Sequence, residues 1–393
     1  VATSLKDSVA IVGVGVTYYE PGAPDALGPA DAAIVAAQAA LADAGLDRSD
    51  LEGFAWASGA NDPGGMAAQM GVPEVSFSAN LTSGAGGGAG ALGLAASAIL
   101  GGFARACLTL VTVQGAPRRP GTSSSGRRPK FVAGAGAYGG PVNAEPEDSF
   151  TVPAAIESQA EQLSMVLNRY RHQFSMTREQ LGEVCITQRA NAGEMLSLDE
   201  YLGSPMIVEP LSQLDCTPEL EGTFAAAVIT TTLERARDLR QPPVVLVASA
   251  TGGDPAAALF QGAEDSFASS GHRAVAAALY EMAGLSASDI DVALLYDDFS
   301  PMVLLQLEDY GFCGVGEGGA FVADGHIRRG GSIPVNTHGG NLSQAYLRGA
   351  THVVEAVHQL RGTAANQVSG AELALVTGSP SSIPLSAAIL RRV

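Results

Sequence analysis

Positive charge is scarce in this sequence: 22 Lys and Arg stand against 40 Asp and Glu, giving a formal net charge of -18. A field of that sign repels nucleic acid and anionic membrane surfaces, so neither is an expected partner. Cysteine is also scarce. The four copies, Cys107, Cys185, Cys216 and Cys313, form no CxxC spacing and no metal-ligand pattern. They read as reduced, buried thiols of a cytoplasmic protein. No basic segment followed by an apolar core opens the sequence, so no secretory signal is expected. The uncharged stretch from Gly84 to Ala104 is mostly Gly and Ala, too weakly apolar for a membrane span, and reads as a helix buried in the protein.

What the chain has in quantity is small and apolar residues. Hydrophobic residues make up 46% of its 393 positions, charged residues only 16%, and glycine occurs 48 times. This is the composition of a tightly packed α/β protein, long enough for one large duplicated domain. The basic residues that do cluster are Arg118, Arg119, Arg127, Arg128 and Lys130, within a Gly/Pro/Ser-rich stretch. They read either as a solvated loop or as a site for the phosphates of an anionic ligand or for an acidic partner.

The chain carries an internal repeat. Ala40 to Leu51 resembles Tyr280 to Ile290, sharing Ala-Gly-Leu and Ser-Asp-Leu/Ile at one offset. Each copy predicts a helix ending at Gly, a short turn and an apolar strand. A second pair follows: Leu94 to Leu100 with Cys107 to Val113 parallels Val353 to Leu360 with Leu373 to Thr377. Two α/β halves with one order of elements imply pseudo-twofold symmetry, with a site at strand carboxyl ends where the halves meet. The division falls at residues 1–250 and 251–393, with a cap and loop insertion over about 116–215 of the first half. Within the insertion Glu157 to His172 predicts one helix, and Thr177-Arg-Glu-Gln180 opens another with a capping box. This layer is expected to cover a substrate channel. Val9 to Gly15 predicts an opening strand; its glycines lack the third member of a dinucleotide fingerprint.

Several motifs then occur in order: Arg189-Ala-Asn-Ala192, Tyr201-Leu-Gly-Ser-Pro205, Leu304 to Gly311, Gly316 to Phe321 and Asn336-Thr-His-Gly-Gly340. With these the chain resembles the thiolase superfamily, specifically its sterol-carrier-protein-X or lipid-transfer-protein branch. The resemblance implies an α/β thiolase fold, a duplicated five-layer α-β-α-β-α arrangement. It also locates four catalytic stations. The first thiolase cysteine corresponds to Leu81 in Leu81-Thr-Ser-Gly84, and the second to Val376 in Val376-Thr-Gly-Ser-Pro380. The Asn of the Asn-Glu-Ala-Phe motif corresponds to Tyr296 in Tyr296-Asp-Asp-Phe299. Counting from Gly340 places Tyr346 on the histidine station.

Without a cysteine nucleophile, acyl-enzyme chemistry fails, while proton transfer and enolate stabilisation remain open. The resemblance is closest to the steroid side-chain-cleaving aldolases. It therefore implies retro-aldol cleavage of a β-hydroxyacyl-CoA to a 17-ketosteroid and propionyl-CoA, with no cofactor beyond the CoA of the substrate. Tyr346 is expected as base and Tyr296 as acid or orienting donor. Asp297 and His338 are expected to support them, Asp297 as a hydrogen-bond acceptor. Ser83, Gly84, Gly339 and Gly340 are expected near the substrate, as backbone N–H donors or points of close approach. The resemblance further implies a homodimer, with the Gly/Ala run from Gly84 at the contact, and a small OB-fold, zinc-ribbon partner that binds acyl-CoA. Two other readings stay open: a thiolase-like enzyme on another acyl-CoA, and a non-catalytic acyl-CoA or lipid-binding subunit.

Overall fold

A computed structural model describes residues 5–20, 28–56, 63–81, 87–115, 156, 158–218, 221–253, 269–378 and 384–393. Ser83, Gly84 and the Arg118 to Lys130 cluster lie outside the described residues. The first half begins with β1 (Val9–Tyr19), α1 (Pro29–Ala44), β2 (Gly53–Trp56), α2 (Pro63–Met70), β3 (Phe77–Asn80), α3 (Gly87–Leu100) and β4 (Ala106–Gly115). The insertion contributes α4 (Gln159–Phe174), α5 (Arg178–Asn191), α6 (Leu198–Leu202), β5 (Met206–Val208) and β6 (Leu211–Ser212). Next come β7 (Gly222–Thr232), α7 (Leu233–Ala236) and β8 (Val244–Gly252). The second half holds α8 (Arg273–Ala283), β9 (Val292–Leu294), α9 (Ser300–Asp309), α10 (Gly318–Ala323), α11 (Gly340–Ser343), α12 (Ala350–Arg361), β10 (Leu373–Gly378) and β11 (Leu385–Arg392).

The repeat is visible as geometry. Helices α1 and α8 both stop at a glycine in the left-handed region, Gly45 at φ 70° and Gly284 at φ 67°. A capped 3-10 turn follows in each, Arg48–Asp50 and Ala287–Asp289, and then the strand. A glycine is favoured there because a Cβ crowds the backbone at positive φ. The strand order is β3-β2-β4-β7-β1-β8-β11-β10-β9, so the two halves mirror each other about a seam between β1 and β8. That seam is short, pairing Val9–Ile11 with Val244–Leu246 only.

Strand β8 pairs with β11 from Val244 to Gly252, and so holds in the second half the place of β1 in the first. A boundary after residue 250 cuts this strand from its sheet, and we propose the boundary before Val244 instead. The apolar periodicity of a buried strand marks its burial and leaves its partner undetermined.

The buried apolar residues form three cores, the middle one reaching both sides of the central helices. One lies between α1, α2 and the outer face of the first sheet. A second holds α3 and α12 between the inner faces of both halves. A third joins the second sheet to α8, α9 and the insertion helices. The Gly/Ala run is thus an interior helix, as expected, with its small residues used within the chain. A Cβ on Gly93 would lie 2.3 Å from Ser249 Oγ, and one on Gly88 would lie 2.8 Å from Ala350 Cα. The glycines of β1 likewise admit α1, whose Ala40 carbonyl oxygen stands 2.1 Å from a Cβ built on Gly13.

The insertion helices form as their caps require. Thr177 accepts from Gln180 N while Gln180 returns a bond to Thr177 N, which opens α5. These helices, inserted in the first half by sequence, pack on the second: Leu163, Leu181 and Val184 share a core with Met302, Leu304 and Leu342. Among the described residues no helix is long and apolar enough to cross a membrane.

Candidate active site

Strand β9 ends at Leu294, and the chain leaves the sheet carrying Tyr296. Three side chains fix that exit. The Asn336 side chain mimics a strand neighbour, accepting from Leu295 N at 2.8 Å and donating to Leu295 O at 2.8 Å. Thr377 Oγ1, at the end of β10, accepts from Tyr296 N at 2.8 Å. Gln306 Nε2 from α9 donates to Tyr296 O at 2.7 Å, and Gln306 Oε1 accepts from Thr377 Oγ1 at 2.6 Å. The backbone N–H and C=O of Leu295 and Tyr296 are thereby all satisfied away from water, which holds the phenol in one orientation.

Tyr346 approaches from the loop between α11 and α12. Its Oη lies 2.5 Å from Tyr296 Oη, with the rings edge to face at 84°. Tyr296 is buried and Tyr346 partly exposed. Burial pushes the Tyr296 phenol well above its ordinary range, and the neighbouring Tyr346 and Asp298 push the same way, while Arg348 acts against them. Tyr296 therefore keeps its proton at neutral pH, and either hydroxyl can donate in the contact between the two phenols.

Asp297 and His338, expected as supporting groups, lie behind the pair rather than on it. Asp297 accepts from Asn341 N at 2.9 Å and Leu342 N at 3.2 Å, anchoring α11, and bonds His352 Nε2 at 2.9 Å. His352 stacks on Tyr296 with ring centroids 6.4 Å apart and an interplanar angle of 21°. His338 meets His352 edge to face at 4.8 Å, and burial, then His352, holds it well below the ordinary histidine range. The carboxylate that remains open is Asp298. Its Oδ1 is buried with no hydrogen-bond partner among the described residues. Desolvation, and then Asp297, push that carboxyl up to about 7.

The glycine pair serves packing. Gly339 N donates to Asn336 O at 2.7 Å, so it is not a free oxyanion donor. Gly340, at φ 65°, passes so close to Asp297 that a Cβ would lie 2.1 Å from Oδ2. Sequence reasoning did not assign roles to His352, Gln306, Thr377 or Arg348. Thr377 follows directly on the second cysteine station, and that adjacency was the available signal for it.

At the two cysteine stations Val376 is fully buried on β10 and Leu81 packs on the central core. The existing thiols offer no replacement. Desolvation raises Cys107 and Cys313 to about 12, and Cys185 and Cys216 well above the ordinary thiol range. Thiolate nucleophiles need the opposite environment.

The site thus brings two phenols into contact, with apolar side chains at the two positions matched by sequence to the thiolase cysteines. The family described as "Thiolase C-terminal domain-like" matches residues 258–390. The chain is 33% identical over 402 residues to "17-hydroxy-3-oxo-4-pregnene-20-carboxyl-CoA lyase" of Mycobacterium tuberculosis, covering 98% of this chain and 100% of that protein. It is 33% identical over 408 residues to "Steroid side-chain-cleaving aldolase" of Thermomonospora curvata, covering 98% of each. The solved structure "Ltp2-ChsH2(DUF35) aldolase" superposes with a TM-score of 0.85 at 30% identity, over 99% of both chains. Human mitochondrial 3-ketoacyl-CoA thiolase shares the fold at a TM-score of 0.67 and 15% identity. A thiolase fold without its cysteines, matched along nearly its whole length by lyases, identifies the chain as a member of the steroid side-chain-cleaving aldolases, carbon–carbon lyases of the thiolase superfamily.

Proposed function

We propose that this protein cleaves the Cα–Cβ bond of a β-hydroxyacyl-CoA bearing a steroid-type side chain, releasing a 17-ketosteroid and propionyl-CoA by tyrosine acid–base catalysis. The observation that carries this reading is the 2.5 Å contact between Tyr296 and Tyr346 at the stations where thiolases keep asparagine and histidine.

The reaction is redox-neutral and moves one proton. In its active form the pair carries one negative charge: Tyr296 donates to the Tyr346 oxygen, stabilising charge there. The Tyr346 oxygen takes the proton of the β-hydroxyl, the carbonyl of the ketone forms, and the Cα–Cβ electrons pass to the thioester as an enolate. The phenol of Tyr346 then returns its proton to Cα, which regenerates the pair. Tyr346 is assigned the base because it is the partly exposed member. An unperturbed phenol titrates near ~10 and is a weak base at neutral pH, so charge stabilisation at the pair is essential.

Two further parts belong to this reading. The solved relative is named as a complex with ChsH2(DUF35). We place a small OB-fold, zinc-ribbon subunit of that kind beside this chain as its acyl-CoA-binding partner, on a homodimer of the chain, in the reducing cytoplasm where free thiols persist. The test is incubation of the chain, alone and with such a partner, with the 17-hydroxy steroid C22 acyl-CoA, following propionyl-CoA and released ketone. Tyr346→Phe and Tyr296→Phe each remove one hydroxyl and little volume. Turnover is expected to fall by roughly 10²-fold or more in each. Near-normal turnover in both would refute tyrosine catalysis, and tight acyl-CoA binding without cleavage by the wild type would favour a carrier subunit.

A further inference from the structure

The loop that delivers Tyr346 contains an arginine in an unusual state. Arg348 adopts φ 52°, in the left-handed region where a long L side chain is disfavoured. Such strain persists only where surrounding structure holds it, and it concentrates at functional positions. The holding contacts are visible. Gly88 N, at the start of α3, donates to Arg348 O at 3.0 Å. A Cβ on Gly87 would lie 2.3 Å from that same carbonyl oxygen and 3.7 Å from Tyr296 Cε2. The arginine backbone and the Tyr296 ring are therefore clamped against one glycine.

The side chain is as telling. Arg348 is partly buried, its Nε is buried without a hydrogen-bond partner, and no carboxylate among the described residues pairs with it. A partly desolvated guanidinium lacking an anion is costly unless one arrives during function. The charged and titratable groups around the pair are Asp297 and Asp298 after β9, His352 on α12 with His338 behind it, and Arg348. The Asp298 carboxyl opposes negative charge on the Tyr296 phenol, and the ring nitrogens of the two imidazoles are buried.

We infer that Arg348 is the counter-cation of the site, a catalytic residue whose guanidinium balances the negative charge of the tyrosine pair and then of the thioester enolate. The inference rests on the retro-aldol reading for its second half only; the coupling to the tyrosines is a property of the free protein. Its backbone is held against the glycine that also meets the Tyr296 ring, and its charge acts against the upward shift of the Tyr296 phenol before substrate binds, a preorganisation that makes such charges effective.

The experiment compares Arg348→Gln, Arg348→Lys and Arg348→Gly with the wild type. The Gly variant removes the cation while relaxing the backbone, so misfolding from strain cannot imitate its effect. The first readout needs no substrate: ultraviolet titration of tyrosinate, taking the component that disappears in Tyr346→Phe. Its midpoint is expected to move to higher pH in the Gln and Gly variants and to stay near wild type in the Lys variant. The second readout is turnover of the steroid acyl-CoA. The Gln and Gly variants are expected to lose on the order of 10²-fold in kcat with little change in KM, and the alkaline shift should reappear in the kcat profile. An unmoved tyrosinate midpoint in both the Gln and Gly variants would overturn the inference. A wild type that fails to cleave the substrate would sink the retro-aldol reading, while the titration still decides the coupling.

Discussion

Replacing Gly340 by alanine tests the packing behind the tyrosine pair. The new Cβ would lie 2.1 Å from Asp297 Oδ2, 2.8 Å from Asp297 Cγ and 2.9 Å from Asn336 Nδ2. None of these is the loose end of a surface side chain. Asp297 is fully buried and accepts two backbone N–H bonds and the His352 contact, and Asn336 holds both polar atoms of Leu295. Alanine at the observed φ of 65° costs roughly 1–2 kcal/mol by itself. Displacing the carboxylate from two of its charge-assisted bonds adds roughly 3–6 kcal/mol. The expected loss, about 4–6 kcal/mol after partial relaxation, is comparable with the ~5–15 kcal/mol stability of a typical domain. Urea unfolding followed by circular dichroism measures it. Gly330→Ala is the control, since nothing lies within 4 Å of its Cβ position. Gly340→Ala combined with Asp297→Ala removes the clashing oxygen, so the double variant should be less destabilised than the two single losses added together. A Gly340→Ala protein within about 1 kcal/mol of wild type would refute the claim that this glycine is required by Asp297.

The pH dependence of stability gives another test through Asp298. Its folded carboxyl sits at about 7, above the unfolded value of 3.8, so the folded state binds the extra proton between those limits. Wild-type stability from this group is complete below the unfolded value and is lost as pH rises toward 7. Asp298→Asn should therefore gain in Tm relative to wild type as pH rises across that window, with a constant advantage above it; a pH-independent difference would contradict the assignment. Alkylation tests the thiols. Iodoacetamide at pH 7.5 should leave turnover intact, because burial raises all four cysteines and Cys313 is the only one not fully buried. Inactivation prevented by acyl-CoA would show that a cysteine takes part after all.

Local chemistry made much of this protein legible before any coordinates. The Thr177 and Gln180 capping box, the glycine stops at Gly45 and Gly284, and the uncharged Gly/Ala helix each report a backbone state or burial that neighbouring residues set. The duplication was readable because both copies repeat those local signals in one order. Counting from motifs singled out Tyr296 and Tyr346, whose oxygens the fold brings into contact.

What remained hidden depends on contacts between distant segments. Tyr296 and Tyr346 stand 50 positions apart in sequence, and only the return of α11 and its loop against β9 brings their oxygens together. Asp297 and Asp298 are adjacent and chemically alike. One faces α11 and His352, and the other keeps a buried, unpartnered oxygen. Periodicity marked β8 as buried but could not choose between β1 and β11 as its main neighbour. The sequence by itself determined the local elements, the repeat and which catalytic side chains had been exchanged. The tertiary structure alone decided which groups meet, which are anchored and which polar atoms are left without a partner, because those properties arise from desolvation and from partners supplied by other segments of the chain.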